Sequence, residues 1–283
     1  MVETDLFLPM IAGTIFYSLL NLGIRSRLKI PPSLEKKDKF DFIGQHISLI
    51  HSVEAIVMCI FSYTYSKGID YYGETDYIQV VTLAFSLGYF TYDVIYAEIY
   101  GVHDWPMRIH HIFVLAGGIC LLLQTRGGAI GPICLFLTEL SNPFMQVRLI
   151  LKGRRMENTR FYKLNEMIFG LVFITNRGGF GTLVNYNVHQ YALPWLLKCM
   201  VSGVYGVSLY WIFLILNMLG KELKNKKSPS WVEQYFLSFM NSVKANQVLL
   251  VCGIITWSLF LPITLCSLGF GPLHIIYKGF QLV

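Results

Sequence analysis

Apolar positions in this chain fall in long unbroken runs. They do not alternate as in a half-buried strand. Eight stretches, at about 6–24, 43–66, 77–99, 109–124, 128–149, 162–183, 192–219 and 248–270, approach or reach the roughly 17–25 residues a helix needs to cross hydrocarbon. The pattern predicts an all-α fold, a polytopic transmembrane helical bundle of about eight spans. A membrane barrel would need alternating segments of about ten residues, which these runs do not provide. Pro31-Pro32 keeps the first polar loop from continuing as helix, and Thr125-Arg126-Gly127-Gly128 makes a turn between the fourth and fifth spans. Ser228 to Lys244 places Trp231, Tyr235, Phe239 and Val243 at helical spacing, which predicts an amphipathic helix on the membrane surface. The chain divides into a first span with its basic loop (1–39), a helical core (40–225), and the amphipathic segment with a further span (226–283).

Composition agrees with this class. The chain is 54% hydrophobic and 14% charged, where soluble domains carry about a quarter charged residues. The net charge of +6 raises the question of nucleic acid, but the placement of the charges answers it. With eight spans, seventeen of the 23 Lys and Arg residues fall in loops on one face and four on the other, with Arg148 and Arg177 inside spans. That bias marks the first face as cytoplasmic, or as matrix in a mitochondrial inner membrane. It puts both termini on the opposite side, in the endoplasmic reticulum or another endomembrane by preference. The basic loops set orientation and meet anionic headgroups, so membrane lipids, and no nucleic acid, are the expected partners. Glu3 and Asp5 give the N-terminus an acidic start unlike a secretory signal, so the first run is read as a retained helix. The six cysteines lie in or beside apolar runs without metal-ligand or CxxC spacing and are read as small buried residues.

Polar groups inside the spans are costly there and mark candidate sites. His46, His51 and Glu54 fall in the second span, and Asp93 and Glu98 in the third. His110 and His111 open the fourth. Glu139, Ser141 and Asn142 sit mid-way along the fifth, and Asn165, Glu166, Asn176 and Arg177 in the sixth. His51 and Glu54, three apart, share a helical face. At ~1.5 Å of rise per residue, His51, Asp93 and Glu139 lie roughly 9–15 Å in from the basic face, with the histidine pair near that surface. Converging helices would gather these groups into one polar cavity, which Arg177 reaches from the far side. The expected lipid-binding set is therefore His51, Asp93, His110, His111, Glu139, Ser141, Asn142 and Arg177. His110, His111 and Glu139 are the candidates for catalysis, since an imidazole with a carboxylate can act as base or nucleophile. The competing reading is interhelical hydrogen bonding that holds the bundle together. No HxxxH or ExxH pairing with a third ligand is visible, so neither a metal nor a cofactor is expected beyond a bound phospholipid, sphingolipid or acyl-CoA.

Several of these pieces occur in a recognisable order. They are Ser48-Leu49-Ile50-His51-Ser52, Ser86-Leu87-Gly88-Tyr89-Phe90-Thr91-Tyr92-Asp93, His110-His111, Glu139-Leu140-Ser141-Asn142-Pro143-Phe144 with Arg148, Phe173 to Arg177, and Tyr210-Trp211 with Met218. Together, over about residues 40–225, the chain resembles the TLC-domain family of translocating-chain-associated, longevity-assurance and ceroid-lipofuscinosis proteins. The resemblance implies a multi-pass helical protein tied to ceramide synthesis, lipid sensing or membrane composition. Ceramide synthases of that family pair two histidines with a motif of the form H-D-x-S-D. Here the stretch reads Thr138-Glu139-Leu140-Ser141-Asn142, lacking the histidine and the second acid, which argues against N-acyltransferase chemistry. The form is similar to the TLC-domain-containing branch outside the ceramide synthases. The expected function is lipid binding or regulation of membrane lipid composition. A non-catalytic accessory subunit among other membrane protein subunits is the alternative, and an acyl-CoA-dependent lipid N-acyltransferase the second alternative.

Overall fold

A computed structural model describes residues 3–66, 70 and 72–224, together with positions 234 and 238. The chain forms α1 (Glu3–Arg27), α2 (Lys36–Tyr65), α3 (Tyr77–Tyr100), α4 (Trp105–Leu122), α5 (Ile130–Glu139), α6 (Asn142–Gly153), α7 (Arg160–Phe173), a π-helical turn (Ile174–Phe180), α8 (Gly181–Gln190) and α9 (Trp195–Lys224). Among the described residues there is no β-strand; an isolated bridge joins Glu74 to Arg126. Six helical stretches are long and apolar enough to cross a membrane, with α7, the π-helical turn and α8 counting as one. The all-α membrane bundle is thus present. The predicted fifth span is instead two short helices, and the predicted eighth span and, apart from positions 234 and 238, the amphipathic segment 228–244 lie outside the described residues.

The fifth span breaks because its sequence places a proline one turn after Glu139. Pro143 stands at the start of α6, where its missing N–H is harmless. Continued as one helix, its ring would collide with the carbonyl of Glu139. Glu139 therefore ends α5, and its side chain sits at the break, 2% exposed.

Helix α3 is the central element. Tyr89, Tyr92, Tyr96 and Tyr100 recur on one face and pack against α1 and α2. Tyr96 donates to the Phe40 carbonyl (2.8 Å), and Tyr100 stacks on Phe40 at 4.0 Å. Asp76 caps the start of α3 in a reciprocal capping box with Gln79, and Gly101 ends it at φ 65°. Helix α1 reaches α3 through two glycines: Gly13 and Gly88 face each other, and Thr14 donates to the Gly88 carbonyl at 3.1 Å. The outer face of α1 carries Leu8, Ile15, Leu19 and Leu22, each more than half exposed, as a lipid-facing surface requires. On the far side from the histidine pair, Thr75 N–H donates to Thr125 O (3.0 Å) and Gly127 N–H to Gly73 O (2.9 Å). These bonds tie the α2–α3 connection to the turn after α4.

Candidate functional site

Seven of the eight residues of the expected lipid-binding set are buried and Asn142 is half-buried, and they settle into four groups within the bundle.

In the first group, His51 stacks face to face on Tyr89, with ring centroids 3.7 Å apart. Its Nδ1 lies 3.3 Å from the Tyr17 hydroxyl and 3.5 Å from Glu54 Oε2, and Tyr17 donates to that same carboxylate at 2.8 Å. Tyr17 comes from α1, outside the helical core of residues 40–225, and it is fully buried.

In the second, Asp93 Oδ2 lies 3.2 Å from His111 Nδ1 and 3.2 Å from His103 Nε2. His103 escaped notice in the sequence because it falls in the short connection between α3 and α4. The available signal was its spacing, eight residues before His111 and beside Asp104, which caps α4 by accepting from Met107 N–H. Burial opposes charge on His103. The hydrogen bond and negative charge of Asp93, with Asp41 and Asp104 farther off, outweigh it and raise the pKa above the ordinary histidine value.

The third group is the aromatic seat of His110, whose ring meets Trp211 of α9 edge-on at 5.1 Å. The two adjacent histidines thus point to different neighbours, as ~100° of rotation per residue requires.

The fourth group joins the broken span to the π-helical turn. Asn142 Nδ2 donates to Glu139 Oε2 (2.7 Å), while Asn142 Oδ1 accepts from Arg177 Nη2 (3.3 Å). Arg177 and Glu139 are thus linked through an amide rather than paired directly. Arg177 Nη2 also donates to the Thr138 carbonyl. Its guanidinium lies 4.9 Å from the Phe173 ring and 5.8 Å from that of Trp211. Its Nε and Nη1 have no hydrogen-bond partner, and the residue is 4% exposed. Ser141 Oγ is buried without a partner as well. A π-helical turn inside an α-helix often marks a functional position, and here it carries Arg177.

Beside this fourth group lies a cavity of about 120 Å³ between α3, α4, α5, α8 and α9. Leu87, Phe90, Phe113, Leu121, Leu135 and Val204 supply apolar wall, and Gly117, Gly118, Gly131 and Gly181 make room. Thr138, Asn176 and Arg177 stand at its polar edge. Of the eight expected residues Arg177 lines this space; the other seven do not.

Two polar positions are settled locally. His46 Nδ1 bonds to the Phe42 carbonyl one turn back (2.8 Å), and Arg148 pairs with Glu166 at 2.6 Å.

The Asn142 bridge explains why an amide suits a place where a carboxylate is the alternative. An amide can donate to Glu139 and accept from Arg177 at once; a carboxylate can only accept. Asn142→Asp should set two carboxylates against each other and strip Glu139 of its donor, costing about 1–3 kcal/mol. Thermal unfolding in detergent checks this, with a lower midpoint expected for Asn142→Asp than for the wild type.

A profile of the TLC domain matches residues 41–217. TLC domain-containing protein 4 A of Dictyostelium discoideum is 24% identical over 158 residues, 52% of this chain and 61% of that protein. TLC domain-containing protein 2 of Danio rerio is 23% identical over 192 residues, 66% of this chain and 71% of that protein. TLC domain-containing protein 1 of Gallus gallus is 26% identical over 130 residues, 43% of this chain and 50% of that protein. The matched region spans less than two thirds of the length of the first and third of these relatives. The profile match over 41–217 contains the four groups apart from Tyr17, together with the residues that wall the cavity.

Proposed function

Because this chain belongs to the TLC domain family, we propose that it is a multi-pass membrane protein that holds a lipid acyl segment in the cavity beside Arg177 and thereby adjusts membrane lipid composition. The observation that carries this reading is Arg177 itself. A guanidinium 4% exposed, with two nitrogens unpaired at the edge of an apolar space, is expensive in hydrocarbon. A phosphate or carboxylate oxygen at that edge would satisfy it with charge-assisted hydrogen bonds. Size limits what enters: an engineered cavity of about 150 Å³ holds one benzene. A space of about 120 Å³ therefore takes a few methylenes, with the rest of the lipid running outward between helices. The basic loops set the orientation, facing cytoplasm or matrix, with an endomembrane as the site of action.

Glu139 hydrogen-bonds to Asn142 rather than to either histidine, which gives acyl transfer by His110 or His111 paired with Glu139 no geometric support. The accessory-subunit alternative leans on residues 226–283, which the described structure barely enters.

Native mass spectrometry of the protein released from membranes tests the reading. The wild type should carry phospholipid or fatty acyl adducts through detergent exchange. Val204→Phe, which fills the cavity from α9, should lose them, and Leu214→Phe, on an exposed part of the same helix, should keep them. Equal retention by all three proteins would contradict the proposal.

A further inference from the structure

Asp93, His103 and His111 lie outside the walls of the cavity, and nothing in the lipid reading uses His103. Their ligating atoms converge. Asp93 Oδ2 is 3.2 Å from each imidazole nitrogen, and all three atoms fall within 4.8 Å of one another. Tetrahedral zinc, with bonds of about 2.0–2.1 Å, holds its ligand atoms roughly 3.3 Å apart. Two of the three edges already have that length. The third, between the imidazoles, is no more than 4.8 Å, and rotation of His103, which sits in the connection between the two helices and not within either, would close it further.

A second observation separates this group from an ordinary hydrogen-bonded cluster. His111 is 6% exposed, and its Nδ1 makes no hydrogen bond although a carboxylate oxygen lies 3.2 Å away. The nitrogen and oxygen are near each other but not aligned for a shared proton. That is the relation of two atoms directed at a common third centre. The rings of His103 and His111 stand 79° apart, as two imidazoles do when they approach one point from different sides. Phe90 packs edge-on against His111 at 5.3 Å and holds its ring in place. His103 retains 16% side-chain exposure, which gives an ion a way in.

We propose that Asp93, His103 and His111 form a binding site for a divalent transition-metal ion of the zinc class, with a fourth position open toward the α3–α4 connection. Two neutral imidazoles and one carboxylate are a donor set that suits zinc better than calcium or magnesium. Three protein ligands with one open place match sites that keep a bound water. The ion would clamp the end of α3 to the start of α4 across Gly101, the one turn in that connection with positive φ.

The test uses the full chain, purified through a tag without histidines, stripped with chelator and dialysed against zinc chloride. Elemental analysis after gel filtration should find about one zinc per chain, tight enough to survive the column. Asp93→Asn and His103→Ala should each fall to background, while His46→Ala, whose ring bonds within its own helix, should keep the ion. His103 lies outside the helices, so His103→Ala is the informative variant should Asp93→Asn fail to fold. Cobalt(II) added to the stripped wild type gives an independent readout through the visible absorption of a four-coordinate site. A wild type that binds neither ion, or a His103→Ala protein that binds as much as the wild type, overturns the proposal.

Discussion

Gly88→Ala is expected to destabilise the bundle more than any other single added methyl group. A Cβ at Gly88 would fall 2.8 Å from the Thr14 backbone nitrogen and 2.9 Å from Gly13 Cα, and would press on the Met10 carbonyl as well. All three are backbone atoms of α1, so no side chain can turn aside; the helix itself has to move. Gly13 repeats the situation from the other side, its Cβ meeting the Phe85 carbonyl oxygen at 2.5 Å. Close backbone approach through small residues is how membrane helices gain contact where lipid removes the hydrophobic incentive. Forcing the two apart would also pull Tyr17 from His51 and Glu54, and Asn21 from the Tyr92 hydroxyl (2.6 Å). Overpacking costs about 1–3 kcal/mol, which for a chain of this size lowers the unfolding midpoint by roughly 2–4 °C per kcal/mol. Gly23→Ala is the control: it lies on the facing helix α1, with nothing within 4 Å of the added atom. Differential scanning fluorimetry of the two variants should show a clear drop for Gly88→Ala and little change for Gly23→Ala. Equal midpoints would mean that α1 and α3 do not meet at these glycines.

Arg177→Met should have the largest effect on ligand retention. The substitution removes the donor to Thr138 and Asn142, but it also removes a buried charge with two unpaired nitrogens. Replacing a whole buried ion pair by apolar residues is often close to neutral for folding, but here Glu139 stays behind without its counter-charge, so the variant also loses stability. An anionic headgroup or carboxylate loses one or two charge-assisted hydrogen bonds of about 1.5–3 kcal/mol each, or at least a roughly tenfold weakening. Arg177→Lys should fall between, since an ammonium keeps the charge but not the flat set of donors or the stacking on Phe173 and Trp211. Titration of delipidated protein with a fluorescent fatty acid orders the three proteins. Identical affinities would remove Arg177 from the site.

The helices could be read from the sequence because their signal is local. Runs of apolar residues of spanning length and punctuation such as Pro31-Pro32 and Gly101 sit within a few positions of the structure they determine. The break at Glu139 had its cause in view, since Pro143 lies four residues on, but the apolar run on both sides made one span the simpler reading. The site was less legible because its contacts join distant positions. Asn142 and Arg177 are 35 residues apart and meet only because a π-helical turn rotates Arg177 inward. His103 became a partner of Asp93 and His111 only when Gly101 turned the chain back toward α4. Gly13 and Gly88 carry no chemical signal that distinguishes them from other helical glycines until their helices cross. Seven of the eight polar residues are buried, with Asn142 half-buried, but one shared polar pocket is not what they build. They fill four small settings, and the open volume beside them is apolar.

An electron cryo-microscopy map of the full chain in native-lipid nanodiscs addresses the lipid site most directly. Elongated density should occupy the space between Leu87, Phe113, Leu135 and Val204, with its polar end within hydrogen-bond distance of Arg177 Nε or Nη1. The contradicting result is a map in which side chains close that space and Arg177 pairs directly with Glu139.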